Sequence, residues 1–353
     1  MAYLRILVGL LISAGCVVAL LTQIDVGLTW SALTHANPWW LLAALVVLVV
    51  TMFTKIYRWR LLYYPTAGLS LGNLTSALYI GYMVSSFVPM RLGEFVRAYL
   101  ITKTEPVTFS QSVGTILVEK VLDVVTILAF LAGLGLFGLL PELAVPGPVL
   151  AAMGLVPLAG LVLVACLPRE AVLGLLARLQ PYLPGTRRWN LVKLVGPFLD
   201  ALAVLRYRQV LPALVLWSFA NWGLSAAINY LAIRAFDIPA PVAAAIFIMI
   251  VTNLGAVVPS APGYVGVFEG LTVVALAPYG IDTNQALGYA LALHVLVYGS
   301  FIVGGLYFVW RGGYSLGSLW SRDAATAAPP IPGGPADRLP DLAVVPAPPD
   351  GST

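Results

Sequence analysis

The stretch VPMRLGEFVRAYLITKTEPVTFSQSVGTILVEKVLD, residues 88–123, decides the fold, because it places charges and helix breakers inside a strongly apolar chain. A charged side chain at the bilayer centre costs roughly 3 kcal/mol on the insertion scale, so these charges must pair or line a wet cavity. Pro89 and Gly93 break the helix here, and broken backbone at membrane depth needs protein or water around it. The stretch therefore predicts a polar site at a broken helix in a membrane transporter. The residues assigned to this site are Arg91, Glu94, Arg97, Glu119, Lys120 and Asp123.

The composition is that of a polytopic membrane protein. Of the 353 residues, 60% are hydrophobic and 10% are charged, and the mean hydropathy is +0.93. The net charge of +4 is small and does not indicate a nucleic-acid partner. The two cysteines, Cys16 and Cys166, lie in separate apolar runs and predict no disulfide framework.

The hydrophobic runs predict an all-α membrane domain over residues 1–320, with about six full spans and two broken segments. Apolar residues at helical spacing predict amphipathic interfacial helices at 171–183 and 191–205, within a basic segment at 168–208. Residues 321–353 are rich in Pro, Ala and Gly and predict a disordered tail. The predicted spans are 4–21, 39–64, 110–140, 149–167, 210–235 and 285–310, and the broken segments are 71–101 and 242–277.

The distribution of Lys and Arg predicts the topology. Basic residues gather at the N-terminus, at 55–60, at 168–208 and at Arg311, whereas the four loops assigned to the outer side carry none. This bias places both termini in the cytoplasm, provided that each broken segment enters and leaves on the same side. Re-entrant hairpins are thus favoured. The alternative is that one or both broken segments are kinked spans, and both would have to cross to leave Arg311 inside.

Short matches indicate an internal repeat of residues 39–140 and 208–310. Val88 and Pro89 precede G-E-F in the first half, and Val258 and Pro259 precede G-V-F-E in the second. Downstream, FSQSVG at 109–114 matches TNQALG at 283–288. With the topology above, the halves are inverted, an architecture that many transporters share.

Three motifs resemble a known family: VPMRLGEFVRAYLI (88–101), SVGTILVEKVLDVV (112–125) and PSAPGYVGVFEG (259–270). They are similar to hallmark segments of the flippase-like transmembrane family typified by the membrane region of lysylphosphatidylglycerol synthases. The chain departs from the family pattern at Tyr264 and Val265. The resemblance implies translocation of a phospholipid or polyprenyl-linked lipid across the cytoplasmic (inner) membrane. The tail is too short for the synthase domain, so we expect no lysyl-lipid synthesis.

The charges of the first half suit a lipid headgroup. Arg91 and Arg97 can bind phosphate oxygens bidentately, and Glu94 can hold them while the site is empty. Glu119 and Asp123 face the same way on a helix and can receive a headgroup amine or neutralise the arginines. The alternative is a structural ion-pair network, with Lys120 included, that joins the hairpin to the long helix.

The second broken segment offers a glycine turn and one carboxylate. Free amides around Pro262, Gly263 and Gly266 are suited to an anion, although a plain chain reversal explains them as well. We expect Glu94 and Glu269 to guard the two ends of one pathway, with protonation of Glu269 as a switch. His294 is expected to be a packed, hydrogen-bonded histidine.

No catalytic constellation is visible, so we expect a transporter and not an enzyme. The chain has no ATP-binding loop motif, no His/Cys cluster with metal-ligand spacing and no cofactor signature. Membrane lipids are the expected partners, and the oligomeric state stays open. Two alternatives are a phosphatase-like enzyme on polyprenyl diphosphate, with Ser260 as nucleophile, and a non-transporting subunit of an envelope glycosyltransferase.

Overall fold

The computed structural model describes residues 2–22, 25–65, 68–88, 92–141, 169–180, 199, 202–255 and 260–312. Within these ranges the ordered elements are helices and no β-strand occurs, which confirms the predicted all-α class. The helices are α1 (Ala2–Leu21), α2 (Val26–His35), α3 (Pro38–Leu61), α4 (Leu71–Phe87), α5 (Gly93–Thr104), α6 (Phe109–Leu136), α7 (Arg169–Leu179), α8 (Leu211–Ala235), α9 (Val242–Gly255), α10 (Val267–Leu276) and α11 (Thr283–Arg311).

Local sequence explains where several helices begin. The side chains of Asp25, Asn37 and Thr108 accept hydrogen bonds from the first free amides of α2, α3 and α6. Asp282 caps two amides of α11 in the same way. Residues 22–38, between the first two predicted spans, thus contain a capped helix.

Three of the described helices are long and apolar enough to span a bilayer, namely α3, α8 and α11. The protein is therefore membrane-embedded. Helix α6 has 28 residues, enough to cross, but carries Glu119, Lys120 and Asp123. The predicted spans at 4–21, 110–140 and 149–167 stay predictions, and the last lies outside the described residues.

Helices α4 and α5 form an antiparallel pair around the first break. At the open end, the Asn73 side chain donates a hydrogen bond of 2.7 Å to the Glu105 carboxylate. Toward the break the backbones touch, since a Cβ added at Gly81 would lie 2.8 Å from the carbonyl oxygen of Gly93. Small residues permit this close approach. After the break, the chain returns to the level at which α4 begins.

Helices α9 and α10 form a second antiparallel pair. The rings of Phe247 and Tyr279 lie 6.4 Å apart at its open end. Near the turn, Gly255 packs directly against the Leu271 side chain. Both broken segments are thus helical hairpins.

The tips of the two hairpins meet. Gly263, in the turn of the second hairpin, has a φ of +69° and lies against Ser86 at the end of α4. A Cβ added at Gly263 would be 3.3 Å from the Ser86 carbonyl oxygen. The positive φ and this contact both favour glycine at the position.

The order long helix, hairpin, long helix occurs twice, as α3 to α6 and as α8 to α11. The first helices of the two halves, α3 and α8, pack antiparallel: Arg58 donates to Ser218 at 3.3 Å, and the Asn37 amide donates to the Ala235 carbonyl at 2.7 Å. Each hairpin packs against the last helix of the other half, α4 on α11 and α9 on α6. This exchange places parts of both halves around one centre.

The basic segment is described only in part. Helix α7 overlaps the amphipathic helix predicted at 171–183, and its Val172 and Leu173 pack against the apolar core. Most of the helix predicted at 191–205 and all of the tail at 321–353 lie outside the described residues.

Candidate functional site

A cavity of about 340 Å³ lies between the two hairpins, with α3, α6, α8 and α11 around it. Its two sides differ in chemistry, because the charged residues of the lining belong to the first half. The second half contributes uncharged polar groups and aromatic rings. The charged residues are Lys55, Glu94, Lys120 and Asp123, and the polar residues of the second half include Ser225, Asn229, Thr252 and Asn253.

Two arginines and two carboxylates form a buried ion network beside this cavity. Arg58 donates to Asp123 at 2.7 Å and lies 3.9 Å from Glu119. Arg97 bonds both oxygens of Glu119 and is only 2% exposed. Charge-assisted, bidentate bonds of this kind offset the cost of burying the ions.

Aromatic residues complete this network. The Arg97 guanidinium lies 3.6 Å from the ring centroid of Trp59, a cation–π contact. Trp222 of α8 donates its indole N–H to Asp123 at 3.1 Å. Residues from α3, α5, α6 and α8 are therefore joined by buried polar contacts.

Glu94 and Lys120 form a separate pair on the cavity wall. Their charged groups are 2.9 Å apart, and the side chains are 25% and 30% exposed. Since Glu94 begins α5 and Lys120 lies in α6, this pair fastens the second helix of the first hairpin to the long helix.

Lys55 is a cavity residue that was not among the predicted site residues, since it was counted only among the basic residues at 55–60 that indicate the topology. It precedes Arg58 by three residues and therefore lies on the same face of α3. Its ammonium lies 5.5 Å from the Tyr82 ring and 5.8 Å from the Trp222 ring. The three-residue spacing between Lys55 and Arg58 was the available signal.

The glycine turn of the second hairpin fits closely against its neighbours. Pro262 starts a short 3₁₀ turn that contains Gly263. Gly266 has a φ of +80°, and a Cβ there would lie 2.8 Å from the Ser13 carbonyl oxygen in α1. The Ala261 amide bonds the Ser13 hydroxyl at 2.7 Å. The turn is thus held by α1 as well as by α4.

Glu269 is buried at the start of α10 and has two partners. It accepts a hydrogen bond of 2.7 Å from the Gly266 amide, which caps the helix, and it bonds Nδ1 of His294 in α11. The His294 ring also packs against Phe268 and Tyr298. His294 is therefore packed and hydrogen-bonded, as predicted.

The structure sorts the predicted site residues into groups. Glu94, Lys120 and Asp123 reach the cavity, whereas Arg97 and Glu119 pair with each other beside it. Among the described residues, Lys120 and not Arg97 is the partner of Glu94. Glu269 does not line the cavity. Arg91 lies outside the described residues, among which no group of His, Cys, Asp and Glu side chains is placed to hold a metal ion.

Comparisons with known proteins bear on the whole membrane domain. The family described as the lysylphosphatidylglycerol synthase TM region matches residues 6–305, which confirms the resemblance of the three motifs. Glycosyltransferase AglD of Haloferax volcanii is 32% identical over 139 residues, or 38% of this chain and 22% of that protein. The match thus spans about a fifth of the length of this relative. No solved structure matches the chain.

Proposed function

Because the chain belongs to the lysylphosphatidylglycerol synthase transmembrane family, we propose that it moves a lipid headgroup across the membrane through the cavity between its hairpins. The observation that carries this proposal is the position of the cavity. It lies between two hairpins whose tips meet, and charged side chains reach it while the helices around it are apolar. Intramembrane charges that face such a cavity are a signature of transport pathways.

The proposed topology makes both hairpins re-entrant and the two halves an inverted repeat. The contact between Asn73 and Glu105 supports re-entry, because it joins the two ends of the first hairpin. The antiparallel packing of α3 on α8 supports inversion, since equivalent helices of inverted halves run in opposite directions. Cysteines introduced at Phe137 and Arg178 test it, because an impermeant outside reagent should label position 137 only.

The polar groups suit a headgroup, and the apolar surroundings suit acyl or prenyl chains. Pathways of this kind need polar contacts that can be exchanged, because a headgroup held too firmly would not leave. The partly exposed pair of Glu94 and Lys120 can exchange partners with a substrate. The buried pair of Arg97 and Glu119 is suited to hold the framework instead.

A second candidate function is that of a non-transporting subunit of a glycosyltransferase. The similarity to Glycosyltransferase AglD is the observation that favours it. The matched stretch covers 38% of this chain and 22% of that protein. In this role, the chain would hold a lipid-linked substrate for a partner enzyme and would not itself transfer it.

Purified protein in liposomes separates the candidates. We expect movement of labelled lipid headgroups between leaflets without release of phosphate. Release of phosphate would instead support a phosphatase, and neither activity would support the glycosyltransferase subunit. Asn253→Trp, which fills the cavity, should abolish most of the movement. Val274→Trp is the matched control, because Val274 is 65% exposed on the outside of α10.

A further inference from the structure

Lys55 differs from the other described cations around the cavity, because no acidic residue in the described part of the chain pairs with it. No carboxylate of the described residues lies within salt-bridge distance of its ammonium, whereas Arg58, Arg97 and Lys120 each have one. The rings of Tyr82 in α4 and Trp222 in α8 hold the Lys55 ammonium by cation–π contacts. Its hydrogen-bonding capacity is therefore directed to the cavity.

The charge of the site follows from these pairs. Of the described residues in the cavity lining and the ion network beside it, four are cations and three are carboxylates, so the first half contributes one excess positive charge. The nearest acid of the second half, Glu269, does not line the cavity and is already bonded to His294 and to the Gly266 amide. A bound headgroup therefore balances the site if it carries one net negative charge.

Several hydroxyl groups of the cavity lining are available to a ligand as hydrogen-bond acceptors. The protons of Ser86, Ser225 and Thr252 are donated to backbone carbonyls of their own helices, at 2.8 to 3.0 Å. Each hydroxyl oxygen keeps lone pairs for a ligand. Asn253 likewise donates through Nδ2 to the Met249 carbonyl, and its Oδ1 accepts no bond from a described residue. The wall that faces Lys55 thus suits a ligand with several hydrogen-bond donors.

From the excess charge and the acceptor wall, we infer that the site takes an anionic phosphodiester joined to an uncharged, hydroxyl-bearing group such as glycerol, inositol or a sugar. The phosphate binds Lys55, and the hydroxyl groups donate to Ser225, Thr252 and Asn253. This inference rests on the proposed function and specifies its substrate class.

A zwitterionic headgroup fits less well. Its ammonium needs a carboxylate, and the two acids of the lining are already engaged, Glu94 with Lys120 and Asp123 with Arg58 and Trp222. Recruiting either acid would break a pair and leave a cation unpaired. Hydroxyl donors meet the acceptors of the wall without this cost.

Vesicle transport of defined lipids tests the substrate class. The wild-type protein is reconstituted, and the inward movement of three fluorescent acyl-labelled lipids is measured: phosphatidylglycerol, phosphatidic acid and phosphatidylethanolamine. A fourth arm uses a short-chain polyprenyl glycosyl phosphate, which carries the same headgroup chemistry on a prenyl chain. We expect phosphatidylglycerol, the glycosyl phosphate or both to move at least about tenfold faster than phosphatidylethanolamine, the ratio of one lost charge-assisted contact.

Variants assign this preference to the residues named above. Lys55→Gln should slow phosphatidylglycerol about tenfold and phosphatidylethanolamine less, because for phosphatidylethanolamine the loss of the contact between Lys55 and the phosphate is offset by removal of the excess positive charge near its ammonium. Lys55→Arg should keep the preference because it keeps the charge. Thr252→Val should slow phosphatidylglycerol more than phosphatidic acid, which lacks the hydroxylated group. Lys103→Gln is the control, since Lys103 is exposed and lies outside the lining.

The outcomes separate the two proposals. If no lipid moves in any arm, the proposed transport function fails. Equal movement of phosphatidylethanolamine and phosphatidylglycerol would overturn the substrate class while transport stands. A preference that survives in folded Lys55→Gln protein would also overturn it, and the melting temperature of that variant establishes whether it is folded.

Discussion

In each half of the molecule, one polar contact joins the hairpin to the long helix that follows it. The two contacts lie at equivalent positions but use different residue types. Glu94 pairs with Lys120 in the first half, and Glu269 bonds His294 in the second. Lys120 and His294 each lie nine residues after the matched glutamines, Gln111 and Gln285. In both halves, a carboxylate at the start of the helix after the break thus contacts a basic side chain of the following long helix.

The residues around these two contacts also differ in charge. The first half adds Arg58, Arg97, Glu119 and Asp123, whereas the cavity wall of the second half has no charged residue among those described. The repeat therefore preserves geometry and not chemistry. Within the proposed function, the charged half would select the headgroup.

Arg97→Met should have the largest effect on stability. It leaves Glu119 buried with Arg58 at 3.9 Å as its remaining cation. Breaking a buried ion pair from one side typically costs about 3–5 kcal/mol of unfolding free energy. His294→Leu should cost less, because Glu269 keeps its bond to the Gly266 amide. Equilibrium unfolding in lipid bilayers provides both values.

The control for this contrast is the double variant Arg97→Met with Glu119→Gln. It removes the uncompensated charge and should recover a large part of the lost stability. Wild-type stability of Arg97→Met would show that the first half does not need its ion network. A larger loss of stability in His294→Leu than in Arg97→Met would show that the contact of Glu269 with His294 matters more than this network.

Gly93→Ala should have the next largest effect, and it tests whether the hairpins differ in packing. A methyl group at Gly93 would collide with the Gly81 carbonyl oxygen and with Ser85, which are both in α4. Overpacking of this kind costs about 1–3 kcal/mol and should lower the melting temperature. Gly270→Ala in α10 is the matched control, since a Cβ there meets no heavy atom within 4 Å. Equal melting temperatures for the two variants would contradict the close packing of α4 on α5.

Sequence patterns predicted the helix breaks, the need to pair the buried charges and the internal repeat. Pro89 and Gly93 located the first break because proline and glycine interrupt helices in any context. The rarity of charge in apolar sequence identified Glu119 and Asp123 as groups that must be paired. The matched glutamines indicated the repeat, and the structure places the paired basic residues at equivalent positions after them.

The sequence could not predict which charged residues pair with each other, because the pairing depends on how helices that are distant in sequence pack. Arg58 was counted among the basic residues at 55–60 that indicate the topology, although it is fully buried against Asp123, which is 65 residues away in the chain. Glu94 was expected to hold arginines three residues away, but of the described residues Lys120 pairs with it from another helix, and Arg97 pairs with Glu119 instead. Helical spacing predicts which face a side chain occupies and cannot predict which helix that face meets.

The smallest effect is expected from changing the basic side chains of these two contacts. Glu269 bonds Nδ1 of His294 and also accepts a hydrogen bond from the Gly266 amide, whereas Lys120 is the described cation that pairs with Glu94. The ring of Tyr298 packs on His294, so the contact in the second half combines a hydrogen bond with aromatic packing.

His294→Phe keeps an aromatic ring against Tyr298 and removes the hydrogen bond to Glu269. The opening of α10 should therefore increase roughly fivefold, the equivalent of about 1 kcal/mol for one lost hydrogen bond. Amide hydrogen exchange in nanodiscs measures this opening. Helix α5 should not respond to this variant, because its contact is the pair of Glu94 and Lys120. Lys120→Met should instead increase the opening of α5 and leave α10 unchanged. Equal responses of α5 and α10 to either variant would show that the two contacts do not act separately.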